Sequence, residues 1–368
     1  MTFFPGRVHM RRAFHEIALH LTRLQLPNRR PRLVIFPSKQ AWDSASNLRA
    51  WLVAPELERL GWRVVVVPEP LSLSQRRRVL RLERPDVILM QQTRHPLNQP
   101  HLYAEYPCVL DADDADYLDP RHQPRIAQCA SDAAAVVGGS TFVAQCLGLH
   151  NPSAHVLWTC TPKPIRPPPE PPERRPPIVA WAHASPLGYR HEAEFVQRVM
   201  TEVCRLTRCT FWLFGTTESE AQSWFEPLRS AGGTCEAIPP LAYDAYLAKV
   251  AESSVGLQPI SMHSEFSRGK SFGKLLAYLA GQVAVVASDA VDHPRFFDHG
   301  RNGFLAGQAV HDWVDPIVRL IEDHELRGRV ARAGWDSFQS RLTTDVFARL
   351  LDPILRAAPG TARHRDIH

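Results

Sequence analysis

Lysine is scarce in this chain: only Lys39, Lys163, Lys249, Lys270 and Lys274 occur, against 38 arginines. The basic charge is carried by guanidinium groups spread along the whole sequence and interleaved with acids, as in 327–336. The net charge of +5 therefore reads as a solvated basic surface, and no nucleic-acid partner is expected. Long apolar runs are missing as well. Stretches such as 64–67 and 283–287 have strand length, far below the roughly 20 residues a bilayer requires, which excludes a membrane span. Arg11 and Arg12 are followed by no apolar core with a small-residue cleavage site, which argues against a secretory signal and for a cytoplasmic protein. The seven cysteines (Cys108, Cys129, Cys146, Cys160, Cys204, Cys209, Cys235) are odd in number, scattered, and include no CxxC pair, so they read as thiols mostly in the core. There is no GxSxG elbow, P-loop or HExxH, and hydrolase, ATPase and zinc-peptidase readings lack support.

What is present is alternation. A chain of 368 residues is too long for one ordinary domain and comfortable for two. Residues 1–28 hold a basic amphipathic helix over 9–25, with Phe14, Ile17, Ala18, Leu21 and Leu24 at helical spacing; it suits peripheral membrane contact or packing on a neighbouring domain. Strands are expected at 33–36, 64–67, 87–90, 108–111, 134–137 and 155–158, with helices at 45–60, 74–82 and 141–147. This pattern makes 29–161 a first α/β domain with parallel strands. Proline dominates 162–177, which can continue neither a helix nor a central strand and is the linker. A second α/β series fills 178–343: strands at 178–182, 210–214, 255–259, 283–287 and 304–305, and helices at 193–206, 218–231, 243–251, from 271, and at 294–298, 310–323 and 325–340. A last helix at 344–355 opens the terminal segment 344–368, which ends in a basic tail.

Chemistry concentrates after the strand at 255–259. In an open parallel sheet, ligands bind beyond the carboxyl ends of strands, where loops meet helix N-termini. The loop here runs through Ser261, His263, Glu265 and Arg268 to Ser271, a good N-cap, which puts Lys274 at the third helical position. Exposed backbone N–H groups there favour an anion, and Arg268, Lys270 and Lys274 add cationic donors. A diphosphate fits this arrangement; on spacing alone, a basic loop with an ordinary helix cap stands beside it as the alternative.

The run FSRGKSFGKLLAYLAGQVAVVASDAVDHPRFFDHGRNGFLAG resembles the donor-binding segment of glycosyltransferase family 4 and its relatives. The matching positions are Lys270, Ser271, Lys274, Tyr278, Gly281, the strand ending in Ser288 and the turn His299 to Leu305, followed by Trp313, Asp323 and Arg327. Weaker similarity covers most of the chain. IVAWAHAS resembles the family's strand and phosphate-side turn with Ala182 in place of a glycine, Arg190 or His191 stands where a basic residue often faces the donor, and SASNLRAWLVAPELERLGWRV and VVGGSTFVAQ resemble elements of its N-terminal domain.

The resemblance implies an α/β fold of the GT-B type, with two Rossmann-like domains whose parallel sheets face an interdomain cleft. It implies a hexosyltransferase-like enzyme that moves a sugar, with retention and without a bound metal, from a nucleoside-diphosphate sugar to an acceptor that the sequence does not identify. No cofactor is implied beyond that co-substrate, with UDP- or GDP-sugar favoured. Preorganised cations and helix amides would stabilise the leaving diphosphate. Arg268, Lys274 and His95 are the implied catalytic residues. Lys270, Ser271, Glu265, Phe272, Gly273, Tyr278, Arg190, His183, Ser185 and Tyr243 are the implied donor-binding set, with Tyr243 and Tyr246 where the family's chain passes the base. One departure stands out. The family carries two glutamates separated by seven residues; the second, which holds the ribose, is Ala277 here, and the first would fall near Gly269. A catalytically weakened accessory protein that keeps nucleotide affinity is therefore the alternative reading.

The acidic cluster Asp111, Asp113, Asp114 and Asp116 follows a strand in the first domain. Carboxylates at strand ends more often cap turns than bind metal, so no metal is expected. Asp113 and Asp114, with Arg94, are assigned to the acceptor or the cleft. His95, after the strand at 87–90, faces the same carboxyl edge; a turn-stabilising role before Pro96 is its alternative.

Overall fold

The protein is described by a computed structural model covering residues 30–41, 46–120, 122–164, 168, 170–270 and 272–365. The helix expected at 9–25, with its membrane contact, and Ser271 lie outside these residues. The chain forms two compact units: Met1–Pro162 with Gly269–Ser271 and Thr344–His368, and Lys163–Arg268 with Phe272–Thr343.

The first unit is built on a six-stranded sheet in the order β2-β1-β3-β4-β5-β6, with every pair parallel. The strands are β1 (Arg32–Phe36), β2 (Arg63–Val66), β3 (Val87–Gln91), β4 (Cys108–Ala112), β5 (Ala135–Gly138) and β6 (Ala154–Val156). The central strands are buried on both faces, which is why they read as unbroken β-branched and aliphatic runs. Helices α1 (Ala54–Arg59), α2 (Leu73–Glu83), α3 (Gln123–Asp132) and α4 (Thr141–Gly148) supply the crossovers. The single helix expected at 45–60 is instead a π-turn at Asn47–Trp51 followed by α1. Pro55, which has no N–H to donate, sits at the start of α1. The terminal helix α13 (Thr344–Arg365) returns to this unit. Its Phe347, Leu351 and Leu355 are buried in the core with Leu33, Ile35 and Leu89, each contributing about 1.5–3 kcal/mol.

The second unit repeats the plan, with strand order β12-β11-β10-β7-β8-β9, again all parallel. Its strands are β7 (Ile178–Trp181), β8 (Thr210–Phe214), β9 (Thr234–Ile238), β10 (Val255–Gln258), β11 (Ala284–Ser288) and β12 (Phe304–Ala306). The helices are α5 (Arg190–Leu206), α6 (Glu218–Ser230), α7 (Tyr243–Val250), α8 (Glu265–Arg268), α9 (Gly273–Ala280), α10 (His293–Phe296), α11 (Val310–Glu322) and α12 (His324–Arg341). The edge strand β9 has no apolar run, since its side chains alternate between exposed and half-buried before the buried Ile238, and it was not expected from the sequence. The latter part of the proline-rich segment is stapled to this unit by two arginines. Arg327 donates to the carbonyls of Pro172, Glu173 and Arg175 and to those of Leu320 and Ile321. Arg175 donates to the carbonyls of Ser253, Gly281 and Gln282. All seven cysteines are thiols, five of them buried. Among the described residues, no helix is long and apolar enough to cross a membrane.

Candidate functional site

In the second sheet, β7 and β10 are neighbours from which the chain progresses in opposite directions, the switch point where α/β sheets bind ligands. Two sequence features set the backbone there. Gly256 leaves room for the ring of Tyr278, since a Cβ on Gly256 would lie 2.4 Å from a ring carbon. The Tyr278 hydroxyl accepts from the Ala182 N–H (2.6 Å) and directs its own proton toward the carbonyls of Ala180 (3.0 Å) and Leu257 (3.2 Å). Burial pushes this phenol above its ordinary range. Tyr278 is thus a tie between α9 and both switch strands, with its hydroxyl engaged in the frame, and it drops out of the donor-binding set. At the end of β8, Gly215 has φ +83, and a Cβ there would lie 2.1 Å from the His183 carbonyl, so the β7 loop can be approached this closely only by glycine.

That loop presents His183, whose Nδ1 accepts from the Ser185 N–H (3.0 Å) and whose ring packs on Tyr189 with centroids 4.3 Å apart. The Lys274 ammonium lies 5.1 Å from the centroid of the same Tyr189 ring. Lys274 is the second residue of α9, and the N-cap is Phe272, without a side-chain cap. The helix starts at Gly273, a residue later than the sequence placed it, and Ser271, expected as its cap, lies outside the described residues. A helix N-terminus with a lysine and no acid in its first turn favours an anion.

The remaining expected donor residues are dispersed around this point. Phe272 is buried against Phe296 (5.4 Å) and His293 (5.9 Å) and serves as packing. Gly273 opens α9, and a Cβ on it would meet nothing within 4 Å. Glu265 is exposed on α8, which ends at Arg268. Arg190 forms an exposed pair with Glu194 (2.7 Å), worth little energetically. Ser185 is exposed, and Tyr243 is half-buried beside Tyr246, whose ring meets Phe214 edge-on. Ala277 is 1 % exposed. The sequence reading missed Glu192, a buried carboxylate at the third residue of α5 that accepts from the Ser261 N–H (3.2 Å) and the Ser267 hydroxyl (2.5 Å). It borders a cavity of about 240 Å³ at the carboxyl ends of β10 to β12.

The first unit gathers a second polar group at the carboxyl ends of β3 and β4. Asp111 pairs with the wholly buried Arg49, which also donates to the Leu157 carbonyl and Thr159 hydroxyl. Burial alone would lower this guanidinium, but Asp111 raises it. Asp113 accepts from the Gln92 amide; burial, then the neighbouring Asp114, pushes its carboxyl up to about 7. Gln92 sits at φ +58, held by its N–H to the Asp111 carbonyl (2.7 Å) and by Asn98 on its own carbonyl (3.0 Å). Arg94 bridges Asp114 (2.8 Å) and Asp116 (2.6 Å), and Lys270, in the segment grouped with this unit, is 4.0 Å from Asp114. His95 accepts the Leu97 N–H at Nδ1 (3.0 Å), and burial, with Arg76 nearby, lowers it to about 4, so it is neutral at pH 7. Among the described residues, no group of three metal-ligating side chains is gathered.

No family model and no curated protein matches the chain. Its architecture is similar to that of solved structures. With HepE of Anabaena, in complex with UDP and glucose, the TM-score is 0.62 at 14% identity, over 89% of this chain and 100% of that one. Sucrose-phosphate synthase from Thermosynechococcus elongatus gives 0.66 at 12%, over 89% and 98%. An alpha-glucosyltransferase in complex with UDP and a 13-mer DNA gives 0.61 at 11%, over 88% and 99%. Two all-parallel six-stranded sheets with interleaved helices, shared over the full length of such proteins, make this the GT-B fold.

Proposed function

We propose that the chain is a glycosyltransferase that moves a sugar from a UDP- or GDP-sugar to an acceptor hydroxyl, with retention of configuration and without a bound metal. The observation that carries this reading is the N-terminus of α9, with Lys274 and no acid in its first turn, set beside Tyr189 and His183 at the switch point of a GT-B sheet. HepE and the alpha-glucosyltransferase, which share the fold, are structures with bound UDP. In the reaction, the bond from the anomeric carbon to the diphosphate breaks and a bond to the acceptor oxygen forms on the same face. The acceptor proton passes to the departing diphosphate, which leaves as nucleoside diphosphate. Charge grows on the leaving group as this happens, so preorganised helix amides and the cations Lys274, Arg268 and Lys270 lower the barrier. Backbone and side-chain groups of the β7 loop, with His183 and Ser185, would hold the phosphates, and Tyr243 would lie against the base. Asp113, Asp114 and Arg94 would bind acceptor hydroxyls, and neutral His95 would orient the attacking one.

A second reading has one observation in its favour. Ala277 offers no carboxylate for the ribose, which suits an accessory protein that binds nucleotide without efficient turnover. Calorimetry with UDP, GDP and dTDP tests both readings, and absence of binding to all three would sink them together. Nucleotide release from UDP- or GDP-sugars then separates enzyme from accessory.

A further inference from the structure

Glu192 has no part in the donor set inferred above, yet its placement is specific. It is the third residue of α5, in the helical turn where backbone N–H groups favour a carboxylate, and α5 has no side-chain cap of its own. At 7 % exposure a carboxylate persists only if its lone pairs are served. Two donors serve it, and both come from the loop after β10: the Ser261 N–H and the Ser267 hydroxyl, 69 and 75 residues away in sequence. Just before this segment the Ile260 N–H donates to Ser288 Oγ (2.8 Å), and within it two bonds are short in range. Ser261 Oγ accepts from the His263 N–H, and Ser264 Oγ from the Ser267 N–H. Glu192 therefore ties the start and the end of the segment 261–267 to the first turn of the helix that follows the β7 loop. Ser267 immediately precedes Arg268, and the chain enters α9 five residues after Arg268.

We propose that Glu192 is a positioning residue for donor binding: by clamping Ser261 and Ser267 it sets the place of Arg268 relative to the first turn of α9, and so tunes affinity for the diphosphate rather than for the nucleoside. This inference rests on the donor reading given above. A carboxylate clamp that is itself satisfied by two hydrogen bonds does not compete with the ligand for cations, and it holds both ends of the segment 261–267 at once.

The test uses the full chain and compares dissociation constants for UDP and for uridine, or for GDP and guanosine if the guanine nucleotide binds better. Glu192→Ala should weaken diphosphate binding tenfold or more while nucleoside binding changes less than twofold. Glu192→Gln, whose carbonyl can accept the same two bonds, should recover diphosphate affinity to within threefold of wild type. Ser267→Ala, which loses one bond, should fall between them and covers the case in which Glu192→Ala does not fold. Equal losses for diphosphate and nucleoside, no loss in either, or a Gln variant as weak as the Ala variant would each overturn the clamp. A wild-type chain that binds neither UDP nor GDP overturns the donor reading and the clamp together, and shows itself before any substitution is made.

Discussion

Arg49 and Asp111 form a bidentate ion pair in the interior of the first unit, with side chains 0 % and 2 % exposed. The π-turn at Asn47–Trp51 delivers the guanidinium and the end of β4 delivers the carboxylate. Arg49→Ala leaves a buried carboxylate without its partner and two acceptors without their donor, and should cost about 3–5 kcal/mol. The double replacement Arg49→Met with Asp111→Leu should cost less than the single one, because no charge is stranded. Urea unfolding of the two variants against wild type measures both.

The Tyr278 hydroxyl offers a separate stability test in the second unit. Tyr278→Phe leaves the Ala182 N–H buried without its acceptor and should cost about 1–3 kcal/mol. Gly256→Ala should be at least as damaging, since the added methyl would meet the Tyr278 ring at 2.4 Å. The pair Gly256→Ala with Tyr278→Ala should recover part of the loss if the clash is the cause. Denaturant midpoints at fixed pH decide this.

Two titrating groups in the first unit act with opposite sign. Asp113 is raised by burial from 3.8 to about 7, so the folded state holds its proton more tightly than the unfolded one. Its stabilising contribution is complete below about pH 4 and is lost as pH rises toward 7. His95 is lowered by burial from 6.5 to about 4, so its contribution is complete above about pH 6.5 and is lost as pH falls toward 4. Stability relative to Asp113→Asn should therefore fall between pH 4 and 7, whereas stability relative to His95→Gln should rise from pH 4 to 6.5. Unfolding free energies of wild type and the two variants, measured at pH steps across that window, report each sign.

Arg327 gives a test of the stapled segment. Its planar fork meets carbonyls on three residues of 170–175 and two at the end of α11, a geometry one ammonium cannot serve. Arg327→Lys should lower stability by about 2 kcal/mol or more and speed protease cleavage within 170–176. An unchanged cleavage rate would show that other contacts hold the segment.

The strands of the interior were legible because burial on both faces leaves a plain chemical trace: β1, β7 and β11 are runs of valine, isoleucine, alanine and leucine bounded by polar turns. The edge strand β9 left none, as TCEAI alternates polar and small residues and buries only Ile238, and α3 shows one narrow apolar face of Ile126, Cys129 and Ala130. At the candidate site, the helix start near Lys274 could be read locally, but only to within a residue: the helix begins at Gly273, with Phe272 at its N-cap position. Pairings set by the tertiary fold were out of reach. Tyr189 lies 85 positions from Lys274, and Glu192 is far from both of its serine donors, so neither could be inferred from spacing. Tyr278 was noticed as a motif residue, but only the close approach of β7, β10 and α9 reveals that its hydroxyl is consumed in the frame.

The most direct measurement is calorimetric titration of wild type and Lys274→Ala with UDP and GDP. A phosphate-binding lysine at the head of α9 requires that wild type bind at least one of them and that the variant lose about 1.5–3 kcal/mol, roughly ten- to 150-fold in affinity. Binding that is unchanged by the substitution would place the nucleotide elsewhere and contradict the donor site at α9.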